Sequence, residues 1–270
     1  MILHPCRDGW IAIRQSAHAL MAFQLADHWG NRTTPRPAPR AEVLAAVLLH
    51  DSGWDGREEI PRLTPAGEPV AFDSLPEGEH EEVWTACVER AATRGRYAAY
   101  LVSHHVSHLA QSYASAPCPE FLAREEARRA ALVAALAEQP RYADLFRTEG
   151  DRRNRAIVRL TDALAVLLSL GVEGRRVLPG LPQRQGDVDL ELRHLGGRSY
   201  RLRPWPLAGR RLTVYAEGVV LPRRTWASED DLRQCWHSAP VALLSWTLLS
   251  PGTPVEDVGP EAEEGERETS

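Results

Sequence analysis

Lysine is absent from this 270-residue chain, so all 32 basic residues are arginine. Any anion clamp must therefore be built from guanidinium groups, which hold planar oxyanions through paired hydrogen bonds. Cysteine is scarce. Cys6, Cys87, Cys118 and Cys235 lie far apart and form no C-x-x-C pair, which excludes a zinc knuckle and a disulfide framework. No apolar stretch approaches the ~20 residues needed to span a bilayer, and the opening MILHPCRDGWIAIR lacks the apolar core of a signal peptide. Positive charge is not in excess either: the formal charge is −5, which gives no basis for a nucleic-acid partner. The expectation is a cytoplasmic protein with reduced thiols and neither a membrane nor a nucleic-acid partner.

With 43% hydrophobic residues, the chain can bury a sizeable core. Met1-Ile2-Leu3 and Trp10 to Ile13, separated by a turn with Asp8-Gly9, read as a β-hairpin. Helices are expected over Gln15 to Trp29, Ala41 to His50, Glu79 to Thr93, Arg96 to Ser112, Glu120 to Glu138 and Asp151 to Leu170. Residues 52–78, rich in Gly, Pro and charge, read as a long loop. Beyond Val177, short strand-like runs alternate with turns, among them Val188 to Leu192, Ser199 to Leu202, Leu212 to Ala216 and Gly218 to Pro222. They are followed by a short helix near Ser228 to Cys235 and an apolar run, Val241 to Leu249. The division expected is 1–175, a helical metal-binding unit with its hairpin; 176–250, a β-rich portion packed on it; and 251–270, a disordered acidic tail.

The stretch Leu48-Leu49-His50-Asp51-Ser52-Gly53-Trp54 organises the rest. It places an adjacent imidazole and carboxylate at the end of an apolar helix. Burying that pair is costly unless both groups are compensated, and a divalent metal takes a neutral imidazole nitrogen and an anionic oxygen together. A solvated helix end would explain the motif equally well if it stood alone. It does not: seven of ten histidines fall between residues 18 and 108, and several sit on helices expected to face a core. His18 lies on the first helix, His80 opens the third, and His104 and His105 lie within the fourth. Asp162 interrupts the apolar half of the last helix.

The order His18, His50-Asp51, Asp162 resembles the HD-domain superfamily of metalloproteins over residues 15–172 or so. The hairpin, the HDSGW motif and the strand-rich C-terminal part also resemble an uncharacterised bacterial family of about this length, which carries no known activity. The superfamily resemblance implies a mainly α chain: an HD-like helical bundle with an N-terminal β-hairpin and a β-rich C-terminal addition, α+β overall. It implies that His18, His50, Asp51 and Asp162 hold one divalent ion, and that His80 with His104 or His105 adds a second in two-metal members, Asp51 bridging. His105 shares a face with Ala98, Val102 and Leu109, whereas His104 aligns with Tyr97, Leu101 and His108, which favours His105 as the ligand.

Such a site suits hydrolysis of a small phosphate ester or nucleotide by a metal-activated water. Asp51, His104 and His108 are then the catalytic candidates, with Trp54 and Arg57 toward the substrate. The same six ligands also fit a di-iron oxygenase that cleaves a C–H bond, and a scaffold that binds a metal or ligand without catalysis is a third reading. Imidazole plus carboxylate suits Fe, Mn, Co, Ni or Zn. The expected partners are a small-molecule substrate and, at most, a second copy of the chain.

Overall fold

The structure, a computed structural model, describes residues 1–76, 78–113 and 118–255. The break expected at Pro117 and residues 256–270 of the expected tail lie outside them. Strands β1 (Ile2–Pro5) and β2 (Trp10–Ile13) form the opening hairpin. Helices α1 (Gln15–Asp27), α2 (Arg40–Leu49), α3 (Glu79–Ala92), α4 (Arg96–Tyr113), α5 (Pro119–Ala137), α6 (Pro140–Arg147) and α7 (Gly150–Ser169) follow. The chain then runs through β3 (Arg175–Gln183), β4 (Gly186–Gly196), β5 (Ser199–Arg203), β6 (Arg211–Leu221), α8 (Glu229–Ser238) and β7 (Val241–Leu249).

The seven strands form one mixed sheet in the order β1-β2-β6-β7-β5-β4-β3, antiparallel except where β5 runs parallel to β7. This corrects the expectation of a mainly α, HD-like bundle with a hairpin at one end and a β-rich addition at the other: the architecture is α+β, with one seven-stranded sheet packed against the helices. An isolated two-stranded hairpin is marginal in water, and here β2 gains a second neighbour by pairing Ile11, Ala12 and Ile13 with Val220, Val219 and Gly218 of β6. The hairpin is thus the edge of the sheet that the C-terminal strands complete.

Local reasons account for the strands that differ from expectation. Leu212 to Ala216 and Gly218 to Pro222 read as two short runs, yet they form the single eleven-residue β6, in which a Cβ on Gly218 would lie 2.5 Å from the Ile11 side chain. Its glycine serves close strand approach, not a bend. β3 carries Pro179, Gly180 and Pro182, which weaken its strand signal, and it is an edge strand where prolines are tolerated. The apolar run Val241 to Leu249 is the interior strand β7, and Trp246 is fully buried on it.

A single apolar core joins the helices to the sheet. Met21, Leu25, Val47, Leu101 and Leu160 share it with Leu192, Tyr200, Val214, Trp246 and Leu248. A smaller cluster on the other side of the hairpin end, including Ala12, Val219, Leu221, Trp226 and Trp236, is covered by α8. No helix among the described residues is long and apolar enough to cross a membrane. Within the helical layer α1 packs on α2 and α7, and α4 packs on α2, α3 and α7. That arrangement brings the middles of α1, α4 and α7 to the C-terminal end of α2.

Candidate metal centre

Each ligand candidate is delivered by an element whose neighbours are apolar. His18 occupies the buried face of α1 with Ala19, Met21, Ala22 and Leu25. α2 ends at His50, still in right-handed helical conformation, and the chain then turns sharply: Ser52–Trp54 form one 3₁₀ turn, and the Trp54 N–H donates to the Asp51 carbonyl at 3.0 Å. The turn is pinned from α3. The Gly53 N–H donates to Cys87 Sγ at 3.2 Å, and Arg90 donates to the Ser52 carbonyl and pairs with Asp55 at 2.8 Å. Asp162 projects from the middle of α7.

These elements bring His18, His50, Asp51 and Asp162 together, with one donor atom from each lying within 4.8 Å of all the others. Asp162 Oδ1 is 3.0 Å from His18 Nε2 and 3.3 Å from His50 Nε2, and Asp51 Oδ2 is 3.3 Å from His50 Nε2 and 3.6 Å from His18 Nε2. Both histidines are buried. His50 Nδ1 lies 2.6 Å from the Val47 carbonyl, which can only accept, so Nδ1 carries a proton and Nε2 is aimed at the carboxylates. Backbone orientation of the distal ring nitrogen is the arrangement that metal-binding histidines use. Two imidazoles and two carboxylates match a borderline divalent cation. The set can hold a metal ion.

Without one, protons must offset the buried negative charge. Burial opposes protonation of His50, but Asp51 and Asp162 outweigh it and raise its pKa well above the ordinary histidine range. Burial likewise opposes ionisation of Asp162, and the bonds from His18 and His50 overcome it, holding the carboxyl well below the usual range.

The other expected ligands stand close by but outside the quartet. His105 is 4% exposed, its Nε2 is 3.5 Å from Asp162 Oδ2, and neither ring nitrogen makes a hydrogen bond among the described residues. His80 donates from Nε2 to the Phe72 carbonyl at 2.9 Å and lies tilted against the Trp84 ring. It shares a small cavity of ≈ 30 Å³ with Asp51, Asp162, Trp54, Trp84 and Gln15. That volume holds about one water. Trp54 is buried on its wall. Arg57 is not brought to the quartet; it pairs on the surface with Glu79 at 3.3 Å and Glu82 at 2.6 Å. His104 and the exposed His108 face a different cleft, together with His105, Arg152, Arg155 and Arg159.

Three residues of the site escape sequence reasoning. Gln15 is buried beside the carboxylates with its Oε1 lacking a partner among the described residues, and nothing marks a glutamine that opens a helix. Arg155 and Arg159 do leave a signal, because with Arg152 and Asp162 they follow helical spacing on one face of α7.

Burial, with Arg155 and Arg129 nearby, pushes His104 down to about 3, and burial pushes His105 down to about 4 against the pull of Asp162. In the unfolded chain both protonate below about pH 6.5. Each therefore works against the fold as pH drops through that value, because the unfolded state takes up the proton first. Imidazole nitrogen NMR of the metal-free protein at about pH 5.5 should find both rings neutral, well below their unfolded pKa. A charged His104 there would contradict the burial argument.

The molecule is thus an α+β protein with a buried two-histidine, two-aspartate centre able to hold a metal ion. It belongs to the family described as "Protein of unknown function (DUF3891)", whose model matches residues 1–223 and so includes every residue of the quartet. No curated protein and no solved structure matches the chain.

Proposed function

We propose that this protein is a metal-dependent hydrolase of a small phosphate ester or nucleotide. The observation that carries the reading is the grouping of four ligands, His18, His50, Asp51 and Asp162, with His80 and His105 outside it. A single-metal hydrolytic centre needs no more than four, whereas an oxygen-activating pair of irons needs the additional histidines. The ligand order, similar to that of HD-domain metalloproteins, supports the same reading. A divalent ion held by the quartet would supply Lewis-acid polarisation of a phosphoryl oxygen and an acidified water.

The chain's own residues do the remainder. Asp51 and Asp162 line the small cavity, while Trp54 and Trp84 wall it and limit its water. His104, kept neutral with its pKa pushed down to about 3, is a poor proton acceptor at neutral pH and serves as a hydrogen-bond partner. We assign the return of a proton to the leaving group to His108 on the neighbouring cleft; partial burial and Arg159 hold its pKa below the ordinary histidine range, so it acts through its minor protonated form.

The second reading, oxygenation at a di-iron centre, is favoured by one observation. His80 uses Nε2 as a donor, which leaves Nδ1 with its lone pair, and His105 has two nitrogens beside Asp162 with no hydrogen-bond partner among the described residues. Elemental analysis of protein purified without added metal, with electron paramagnetic resonance on the same sample, separates the two. One metal per chain, unchanged in His80→Ala, and phosphate release abolished by a chelator are the expected results. Two irons with a mixed-valence signal, falling to one in His80→Ala, would replace hydrolysis by oxygenation.

A further inference from the structure

Beside the quartet, along the groove between α4 and α7, lies a cleft of ≈ 280 Å³ lined by His104, His105, His108, Arg152, Arg155 and Arg159. Its volume is close to the lower end of the ~300 Å³ typical of small-molecule sites. Two of its arginines have protein counter-charges. Arg152 pairs with Glu149 and with Asp187, the one carboxylate on the cleft wall among the described residues, and Arg155 Nε lies 3.0 Å from Asp151. Arg159 differs. It is half-buried, its Nη2 donates to the Pro179 carbonyl at 2.6 Å, and it makes no ion pair among the described residues. A half-buried guanidinium held in place by backbone carbonyls, with Asp187 on the same wall acting on it only at longer range and already paired with Arg152, is an incomplete arrangement that a bound oxyanion completes.

The cleft is also adjacent to the metal centre, with the His105–Asp162 contact standing between them. His105 on its wall comes within 3.5 Å of Asp162, which lines the cavity on the other side. Arg159 precedes Asp162 by three residues on α7, about 4.5 Å along the helix axis.

We infer that Arg159, with His104 and His108, forms an oxyanion subsite of phosphate type that receives a second anionic group of the substrate whose first group lies at the quartet. As an anion site it stands on the cleft alone; as a substrate subsite it rests on the proposed hydrolytic function. The substrate class is thereby narrowed to compounds with two closely spaced phosphoryl-type groups.

The test is calorimetric titration of the full chain with inorganic phosphate and with pyrophosphate, after chelation and again after loading with Mn²⁺. Phosphate should bind the chelated protein, and Arg159→Gln should weaken that binding at least tenfold. Arg159→Lys should restore part of it, and Arg147→Gln, which removes an exposed charge elsewhere, should leave it unchanged. Pyrophosphate should gain at least tenfold from Mn²⁺, because it reaches both sites. Equal pyrophosphate affinity with and without metal would overturn the substrate-subsite assignment in favour of a separate effector site. Binding that needs Mn²⁺ and ignores Arg159→Gln would overturn the cleft and leave the hydrolase reading standing. No binding in either state would also overturn the cleft. Thermal unfolding of each variant, expected within a few degrees of the parent, distinguishes a lost contact from a lost fold.

Discussion

Asp162→Ala is expected to lower the affinity for a divalent ion about a hundredfold or more, the upper range reached even by loss of residues that only orient a ligand. The carboxylate is the hub of the centre: His18 and His50 approach one oxygen at 3.0 and 3.3 Å, and His105 approaches the other at 3.5 Å. Its removal has a second consequence in the metal-free chain. His50 is charged there because Asp51 and Asp162 face it across a buried space, so the variant leaves that imidazolium with one carboxylate fewer. Breaking a buried ion pair from one side costs about 3–5 kcal/mol. Metal binding and stability must therefore be read separately. Elemental content after dialysis reads the first. Unfolding with and without added Mn²⁺ reads the second, since a ligand at a hundred times its Kd stabilises by about 2.7 kcal/mol. The parent should gain that increment and the variant should not. An Asp162→Ala protein that folds and keeps one metal per chain would refute the centre as drawn.

The quartet is legible in sequence because each member contradicts its surroundings. His18 sits among Ala19, Met21 and Ala22, and Asp162 sits between Leu160 and Leu164, so a polar group is placed where periodicity calls for an apolar one. His80 gives no such contrast: it follows Glu79 and precedes Glu81, and its hydrogen-bond partner is a carbonyl in a loop without periodicity. The helices were legible for the same reason, except α6, whose eight residues bury none of their side chains fully. The sheet was not. β2 finds β6 two hundred residues later, and no local pattern states which distant strand an edge will meet. The division of β6 into two runs before Gly218 has a local cause too, since the absence of a side chain means a turn in one context and close packing in another.

Gly53 settles which of these a glycine means, and it supplies the second large effect. A Cβ at this position would stand 2.0 Å from the Val83 carbonyl oxygen and 2.9 Å from Cys87 Sγ, so the 3₁₀ turn after Asp51 lies directly against the α3 backbone. The nearest obstacle is backbone and cannot rotate away. Gly53→Ala must therefore push the turn off α3, weaken the bond from its N–H to Cys87 Sγ, and shift Asp51 two residues upstream. A loss of about 3 kcal/mol or more is expected, which for a chain of this size lowers the unfolding midpoint by roughly 10 °C. Because Asp51 moves with the turn, metal affinity should fall as well, even though Gly53 offers no ligand atom. Gly95→Ala is the matched control. Beyond its chain neighbours, no heavy atom of the described residues lies within 4 Å of a Cβ there, and it should unfold within about 1 kcal/mol of the parent. If Gly53→Ala melts with Gly95→Ala and binds metal as the parent does, the turn is not held against α3. The packing would then not explain why glycine stands between the His-Asp pair and Trp54. If it loses both together, the HDSGW stretch acts as one unit, in which the His-Asp pair supplies ligands and the glycine sets where they point.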